Sequence, residues 1–343
     1  MSVEILENRQ PWPTLSSNCF YPRLNGHEAA WLTALCNGLK HKPFLLMHRN
    51  STDEPDGILP LVLVRSYLFG KFLVSLPYLN TGGPWAANQA AANDLVTHAC
   101  NLADELDVRY LELRTEKPIV HDRLNASRTD KVHMRLGLPA TDAELELSFK
   151  SKLRSQIKKS NEHGLTIHWG RTELLHDFYH VFAINMRDLG TPVFSRLLFS
   201  EILQAFPKEA ELCVVRKNKD AIAAGLLVHN RGVSEVPSAS SLRSFNFTNA
   251  NMWMYRRMLE RAIERNSHTF DFGRSSEGSG TYKFKSQWGA QPFSANWQYY
   301  VRKGTVEEMR PDAGGKRKLV RIWQKLPVAL TRIIGPSIIR GIP

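Results

Sequence analysis

One arrangement of elements is written twice along this chain, and it restricts the fold more than any other feature. In the first half, apolar residues recur at helical spacing from Ala29 to Lys40. Two strands follow, Phe44 to His48 and Gly57 to Val64, around the turn-rich Asn50–Gly57. A third strand, Phe72 to Pro77, runs into the loop Tyr78-Leu-Asn-Thr-Gly-Gly-Pro-Trp85. A helix from Asn88 to Leu106 and a strand from Arg109 to Arg114 come next, and Val132 to Leu138 can pair as another strand before Pro139. The second half repeats the order. Strand Glu211–Arg216 turns through Lys217–Asp220 into strand Ala221–His229. Strand Gly232–Ser240, helix Asn251–Asn266 and strand Thr269–Phe272 follow, with a last strand around Ser294 to Val301. Strand Leu165–Trp169 and helices Leu174–Leu189 and Arg196–Phe206 precede this second series. A hairpin, a strand, a loop, a helix and a strand in each half describe an α/β structural duplication without evident sequence identity.

A chain of 343 residues exceeds the size at which one core usually stops growing, so two lobes are expected. The reading places a first lobe at 1–140, a linking helix at 141–163, a second lobe at 164–303 and a basic tail at 304–343. In the linking segment Leu145, Phe149, Leu153 and Ile157 step by helical turns, while Lys150, Lys152, Arg154, Lys158 and Lys159 lie mostly elsewhere. The tail carries apolar positions Leu319, Ile322, Trp323 and Leu326 that fit one amphipathic helix ending before Pro327. Such a helix suits either an anionic membrane surface or packing against the second lobe.

The chain holds 45 Lys and Arg against 33 Asp and Glu, a formal charge of +12, and the excess is concentrated in the linking segment and the tail. An anionic partner follows: a nucleic acid, a phosphorylated donor or an acidic membrane. With no secretory leader at the start and no apolar run near 20 residues, a cytoplasmic protein is expected, peripheral at the inner membrane if the tail docks there.

Chemistry-bearing residues are densest in Asp271-Phe-Gly-Arg-Ser-Ser-Glu-Gly-Ser-Gly-Thr-Tyr-Lys-Phe-Lys-Ser-Gln-Trp-Gly-Ala290. Asp271, Arg274 and Ser275 stand at the carboxyl end of a strand, where open α/β sheets bind ligands, and Gly278 and Gly280 allow a ligand close to the backbone. Tyr282, Lys283, Lys285 and Trp288 add a hydroxyl, two cations and an aromatic wall within two turns. Asp271-Phe-Gly273 spells a kinase triplet, but no kinase catalytic or glycine-rich loop precedes it. Gly273 to Gly278 has P-loop spacing without the Lys and Ser or Thr that must follow. No nucleophile elbow or metal-spaced histidine cluster is present, so covalent hydrolases and metalloenzymes also lack support.

The Asp271–Ser275 strand end, the Tyr-x-Phe-Lys-x-x-Trp-Gly run at 282–289, Asn185-Met-Arg-Asp188 with Gly190-Thr-Pro192, the Ser75–Gly83 loop and the Lys152–Lys159 helix together resemble the FemAB-like proteins. More narrowly they resemble the branch associated with PEP-CTERM/exosortase systems, with its BioF2-like GNAT acyltransferase domain. The likeness covers most of residues 55 to 300. It implies tandem GNAT (acyl-CoA N-acyltransferase-like) folds, mixed sheets flanked by helices. It also implies transfer of an acyl or aminoacyl group to an amine, with an amine-bearing cell-envelope or exopolysaccharide precursor as acceptor. The donor is an acyl-CoA or an aminoacyl-tRNA, and no cofactor is held permanently. The Gln/Arg-x-x-Gly-x-Gly/Ala loop of ordinary acetyl-CoA users is missing before the Asn251 helix.

By motif position, the resemblance makes Phe284 and Lys285 the pair that engages the donor. Lys285 is expected to stabilise an oxyanion or a donor phosphate, Arg274 to hold an anionic part of a substrate, Tyr282 to relay a proton and Asp271 to orient them. Asp271 with Arg274 fits a structural ion pair as well; Trp288 and Phe284 fit a core, and Lys283 a solvated surface. In the first lobe Tyr78, Asn80, Gly82 and Gly83 are candidates, because a Gly-Gly loop at a strand end can wrap an anion with N–H groups. Arg187, Asp188 and Thr191 border the second-lobe cleft by the family pattern. The competing reading is a non-catalytic RNA-binding or membrane-associated scaffold on a degenerate GNAT fold.

Overall fold

The computed structural model describes residues 2–6, 12–15, 18–66, 69–305 and 316–342, with side chains in the last stretch from Leu319 onward. Two compact units are distinguished: Met1–Lys131 with Ser294–Arg317 and Ser337–Pro343, and Val132–Phe293 with Lys318–Pro336.

The first unit opens with β1 (Ser2–Leu6), α1 (Ala29–Leu39), β2 (Lys42–Arg49), β3 (Pro55–Ser66), β4 (Gly70–Val74) and β5 (Trp85–Ala86). It continues with α2 (Gln89–Glu105), β6 (Tyr110–Thr115) and β7 (Ala126–Arg128). The second contains β8 (Lys131–Gly137), α3 (Asp142–Ser148), α4 (Ser151–Asn161), β9 (Leu165–Gly170), α5 (Leu175–Leu189) and α6 (Arg196–Ala205). Next come β10 (Ala210–Lys217), β11 (Asp220–Asn230), β12 (Val233–Ser241), α7 (Ala250–Glu264), β13 (Thr269–Ser276), α8 (Gly280–Ser286) and β14 (Gln291–Ser294). Then follow β15 (Asn296–Val301), α9 (Lys316–Lys325) and α10 (Val328–Ile339).

Both sheets are mixed. The first runs β1-β2-β3-β4-β6-β15-β7 with β5 on β3, and the second β14-β8-β13-β12-β11-β10-β9. The duplication is plain in the ladders. In each unit an antiparallel run leads to one parallel pair, β4 with β6 in the first and β12 with β13 in the second, and a helix, α2 or α7, connects the two parallel strands. This is the mixed α/β class expected from the sequence.

Two strands sit elsewhere than expected. β8 lies beside β13 in the second sheet, with Val132 and Met134 in that unit's core, and β15 pairs with β6 in the first sheet through Trp297↔Arg114 and Tyr299↔Glu112. Alternation in a sequence says that a strand has two faces, not which sheet edge receives it. The 141–163 segment is likewise part of the second unit rather than a linker. Leu145, Phe149, Leu153 and Ile157 are buried in its core as their spacing requires. The segment is two helices, because Phe149 and Lys150 are extended and Phe149 turns its ring edge-on to Trp288, with centroids 5.5 Å apart. Thr141 and Glu144 form a capping box that starts α3, and Asn88 caps α2 by accepting from Ala91 N–H at 2.9 Å.

Of the tail expected at 304–343, residues 306–315 lie outside the described residues. The rest forms α9 and α10. Gly190 ends α5 with φ +77° and lies so close to Val320 of α9 that a side chain would collide with it, so both backbone and space call for glycine. α9 therefore packs back on the second unit. Among the described residues no helix is long and apolar enough to cross a membrane, no group of three or more metal-ligating side chains forms, and no disulfide links the four cysteines.

The first unit's parallel pair is closed by its own chain. Past Val74↔Glu112, Ser75 N–H donates to Glu112 O, and Gly82 and Gly83 N–H both donate to Arg114 O at 2.9 and 3.0 Å. Arg114 is buried. Its Nε donates to Glu112 Oε1 at 2.5 Å and its Nη1 to Leu79 O at 2.6 Å, and its guanidinium lies 4.2 Å from the centroid of Trp297. Replacing Arg114 by Met leaves Glu112 buried without its partner. Urea denaturation of the variant is expected to show a loss of about 3–5 kcal/mol.

Candidate functional site

The second unit keeps open what the first one closes. β12 and β13 pair only through Val233↔Thr269, Ser234↔Phe270 and Glu235↔Asp271, yet β12 continues to Ser241 and β13 to Ser276. Beyond that point β12 stays on β11, up to Ala223↔Ser241, and β13 has β8 on its far side. The two parallel strands thus part, leaving an opening bounded by 236–241 and 272–276.

α8 returns across the end of β13. Ser279 caps it by accepting from Tyr282 N–H, which fixes the helix one turn before Lys285. Lys285 is 8% exposed, and its Nζ donates to Gly273 O at 3.1 Å and Arg274 O at 2.8 Å. An ammonium has three N–H bonds. Two are taken up, and among the described residues the third has no acceptor. Burial lowers the Lys285 pKa from its usual value to about 8; Asp271 nearby opposes the shift and Arg274 adds to it.

Asp271 has other partners than expected. Its Oδ1 accepts from Gly273 N–H at 2.7 Å and its Oδ2 from Arg135 Nε at 2.9 Å. Arg135, on β8, was not among the sequence candidates. The alternation of Val132 to Leu138 was the only signal, and it did not reveal that β8 lies against β13. Asp271 thereby holds the turn at Gly273, whose φ of +74° suits glycine, and that turn presents the two carbonyls that Lys285 grips.

Around this centre Arg274 is exposed, while Ser275 is buried with its Oγ lacking a hydrogen-bond partner among the described residues. Gly280 has open space around it and no left-handed backbone, so nothing in the fold itself demands glycine there. Lys283 is exposed and Tyr282 half-buried. Phe284 packs edge-on to Tyr255, with centroids 5.0 Å apart, and Trp288 is buried in the core. The last two build the wall of α8 rather than a ligand surface.

The other candidates fall into two groups, one at the end of α5 and one in the first unit. Arg187 Nε donates to Asp188 Oδ1 at 2.6 Å and its Nη1 to Leu326 O at 3.3 Å, while Asp188 O accepts from Gln324. Thr191 N–H closes the α5 end on Met186 O. Arg187 and Asp188 thus hold the C-terminal helices, and Thr191 closes α5. The member of their motif that reaches the opening is Asn185, whose Nδ2 donates to Ser240 Oγ of β12 at 3.1 Å. In the first unit, Gly82 and Gly83 spend their N–H groups on Arg114, Asn80 O accepts from Trp297 Nε1 at 3.3 Å, and Tyr78 turns the chain with φ +78°. The Gly-Gly loop is a plug, because Thr115 and Leu76 fill the space where side chains would stand.

Residues 148–286 match the family model of an acetyltransferase (GNAT) domain. The chain has a tandem GNAT fold. Solved structures with the same architecture include FemX (14% identity, TM-score 0.59, covering 82% of this chain and 96% of that one). Another is L-PGS from Bacillus licheniformis (12%, 0.53, 89% and 91%). A tandem GNAT protein from the clavulanic acid biosynthesis pathway is similar at 11% identity and TM-score 0.51, covering 82% and 89%. At such identities the likeness speaks for the fold alone. The search of curated proteins found no match. Ahead of α7 in this GNAT fold, 243–248 form a glycine-free 3-10 turn, and Thr248 Oγ1 accepts from Ala250 N–H.

Replacing Asp271 by Ala leaves Gly273 N–H and the Arg135 guanidinium without their acceptor. A loss of about 2–3 kcal/mol is expected in urea denaturation, and Asp271→Asn, which keeps one acceptor oxygen, should lose less.

Proposed function

We propose that this chain is a FemAB-like N-acyltransferase whose donor enters the opening between β12 and β13, where Lys285 meets the reacting carbonyl. The observation that carries this reading is Lys285 itself: a buried ammonium, held by two carbonyls at the point where the parallel strands part, with one N–H left over. In the reaction the acceptor's neutral amine attacks the acyl carbon. The new C–N bond forms as the carbonyl oxygen gains negative charge, and the remaining Lys285 N–H stabilises that oxygen. Collapse breaks the bond from the acyl carbon to the donor's oxygen or sulfur, and the amine's proton ends on the departing group through Tyr282 or water. Arg274, exposed beside this centre, receives an anionic part of the donor or acceptor.

Of the two donors, aminoacyl-tRNA is favoured over acyl-CoA. The turn at 243–248 offers no glycine-lined cradle for a pyrophosphate, and Thr248 already occupies an N–H at the start of α7. A net charge of +12 also suits a polyanion. The likeness in fold to FemX, and to the C-terminal domain of a putative lysylphosphatidylglycerol synthetase from Agrobacterium fabrum (10% identity, TM-score 0.55, covering 79% of this chain and 88% of that one), supports aminoacyl transfer, and an amine-bearing envelope or exopolysaccharide precursor is the acceptor class we propose.

Equilibrium binding of charged tRNA, acetyl-CoA and longer acyl-CoAs should give saturable, salt-sensitive binding of the first. Binding of a CoA thioester alone would overturn the donor assignment. Failure to bind any of them would favour a scaffold. Lys285→Met should lower the rate of acyl transfer by about 10²–10³-fold, as removal of an oxyanion donor does.

The pH dependence follows from the same group. The ammonium is the working form, so kcat/KM should fall as pH rises through about 8, and Lys285→Arg should move that limb upward. Folding lowers the pKa of Lys285, so between about 8 and its ordinary value near 10.5 the unfolded chain binds more protons. Stability from this group should therefore rise with pH across that window in the wild type and not in Lys285→Met.

A further inference from the structure

We infer that α9 and α10, with the adjoining ends of α5 and α6, form a surface that docks on an anionic lipid bilayer. Twelve large hydrophobic residues are exposed in the described structure, and four of them, Leu319, Ile322, Leu330 and Ile333, fall within 15 residues of sequence. Two more, Leu189 and Leu197, stand one and four residues from the points that these helices touch. Gly190, next to Leu189, abuts Val320, and Gly335 abuts Val193, at the turn leading to α6. Half of the exposed large apolar side chains thus gather at one part of the second unit. Scattered singly they would need no explanation; gathered, they mark an interaction surface.

The charge on the same segment identifies the occupant. From Lys316 to Pro343 the chain has seven Lys and Arg and no Asp or Glu. On α9 three stripes are distinct: Val320 and Gln324 face α5, Leu319 and Ile322 are exposed, and the exposed Arg321 and Lys325 run alongside them. A nucleic acid would use the cations and leave the isoleucines and leucines in water. A bilayer with acidic head groups satisfies both at once, with phosphates for the cations and the acyl boundary for the apolar side chains. This goes beyond acyl transfer and does not rest on it, since none of these side chains belongs to the Lys285 site.

The test is flotation of the full chain with vesicles of phosphatidylcholine containing about 30% phosphatidylglycerol, against pure phosphatidylcholine. Binding to the acidic vesicles is expected, and at least about tenfold weaker binding to the neutral ones. The double variant Ile322→Ser/Ile333→Ser should lose roughly tenfold or more in partitioning, and Arg321→Gln/Lys325→Gln should weaken binding several-fold and flatten its salt dependence. The apolar variant alters exposed side chains and no charge, so its thermal midpoint and donor binding should be unchanged, which separates failure here from failure of the acyltransferase reading. Absence of flotation would overturn the inference. So would flotation that both variants retain, or a concentration-dependent dimer that the apolar variant dissociates while vesicles capture nothing.

Discussion

Between β12 and β13 three residue pairs hold the strands together, and past Glu235 and Asp271 each strand runs on without the other. Parallel strands need a crossover, which α7 supplies, and the opening that results cannot be left as bare backbone in a core. Much of the second unit's architecture around the candidate site answers this constraint. Asp271 and Arg135 fix the turn where β13 leaves the ladder, Lys285 secures two carbonyls of that turn, and Asn185 braces Ser240 on the opposite side. Lys285 can do this because α8 is short, capped by Ser279 and seated on Phe284 and Trp288, so its position is set by packing rather than by its own flexible stem.

The two units solve the same problem in opposite ways. In the first, the chain after β4 folds back as a plug, and the buried Arg114 and Glu112 complete it with Trp297 over the guanidinium. A buried pair of that kind adds little net stability compared with an apolar filling, but it makes the closed arrangement specific, because either charge alone would be costly. In the second unit the end of the parallel pair carries Lys285, bound to the carbonyls of Gly273 and Arg274. The acetyltransferase domain match lies on the second of the two units.

Much of this was legible from sequence where short-range physics governs. The apolar steps Leu145, Phe149, Leu153 and Ile157 gave a buried face, and the hairpins gave antiparallel runs, because both periodicities are properties of one element alone. Lys285 was singled out by its motif and lies at the strand end. Asp271 was singled out too, but its ion pair with Arg135, from 136 residues away, was not legible, because nothing short-range links the two. Trp288 read equally as ligand wall or core, and tertiary packing decided for core.

By itself the sequence determined that this is a duplicated α/β chain, strongly basic, with its chemistry-bearing residues densest between Asp271 and Gly289 and a basic amphipathic end. Only the tertiary structure decided which strands share a sheet, so that β8 joins β13 and β15 joins β6. It also decided which glycine loop is a plug and which cation stands at an opening, and that the last helices return to the second unit with apolar side chains still exposed. The reason is the range of the interactions. Helical and strand periods are settled within a few residues, while sheet order, burial of Lys285 and closure of the first unit depend on partners brought together across many tens of residues.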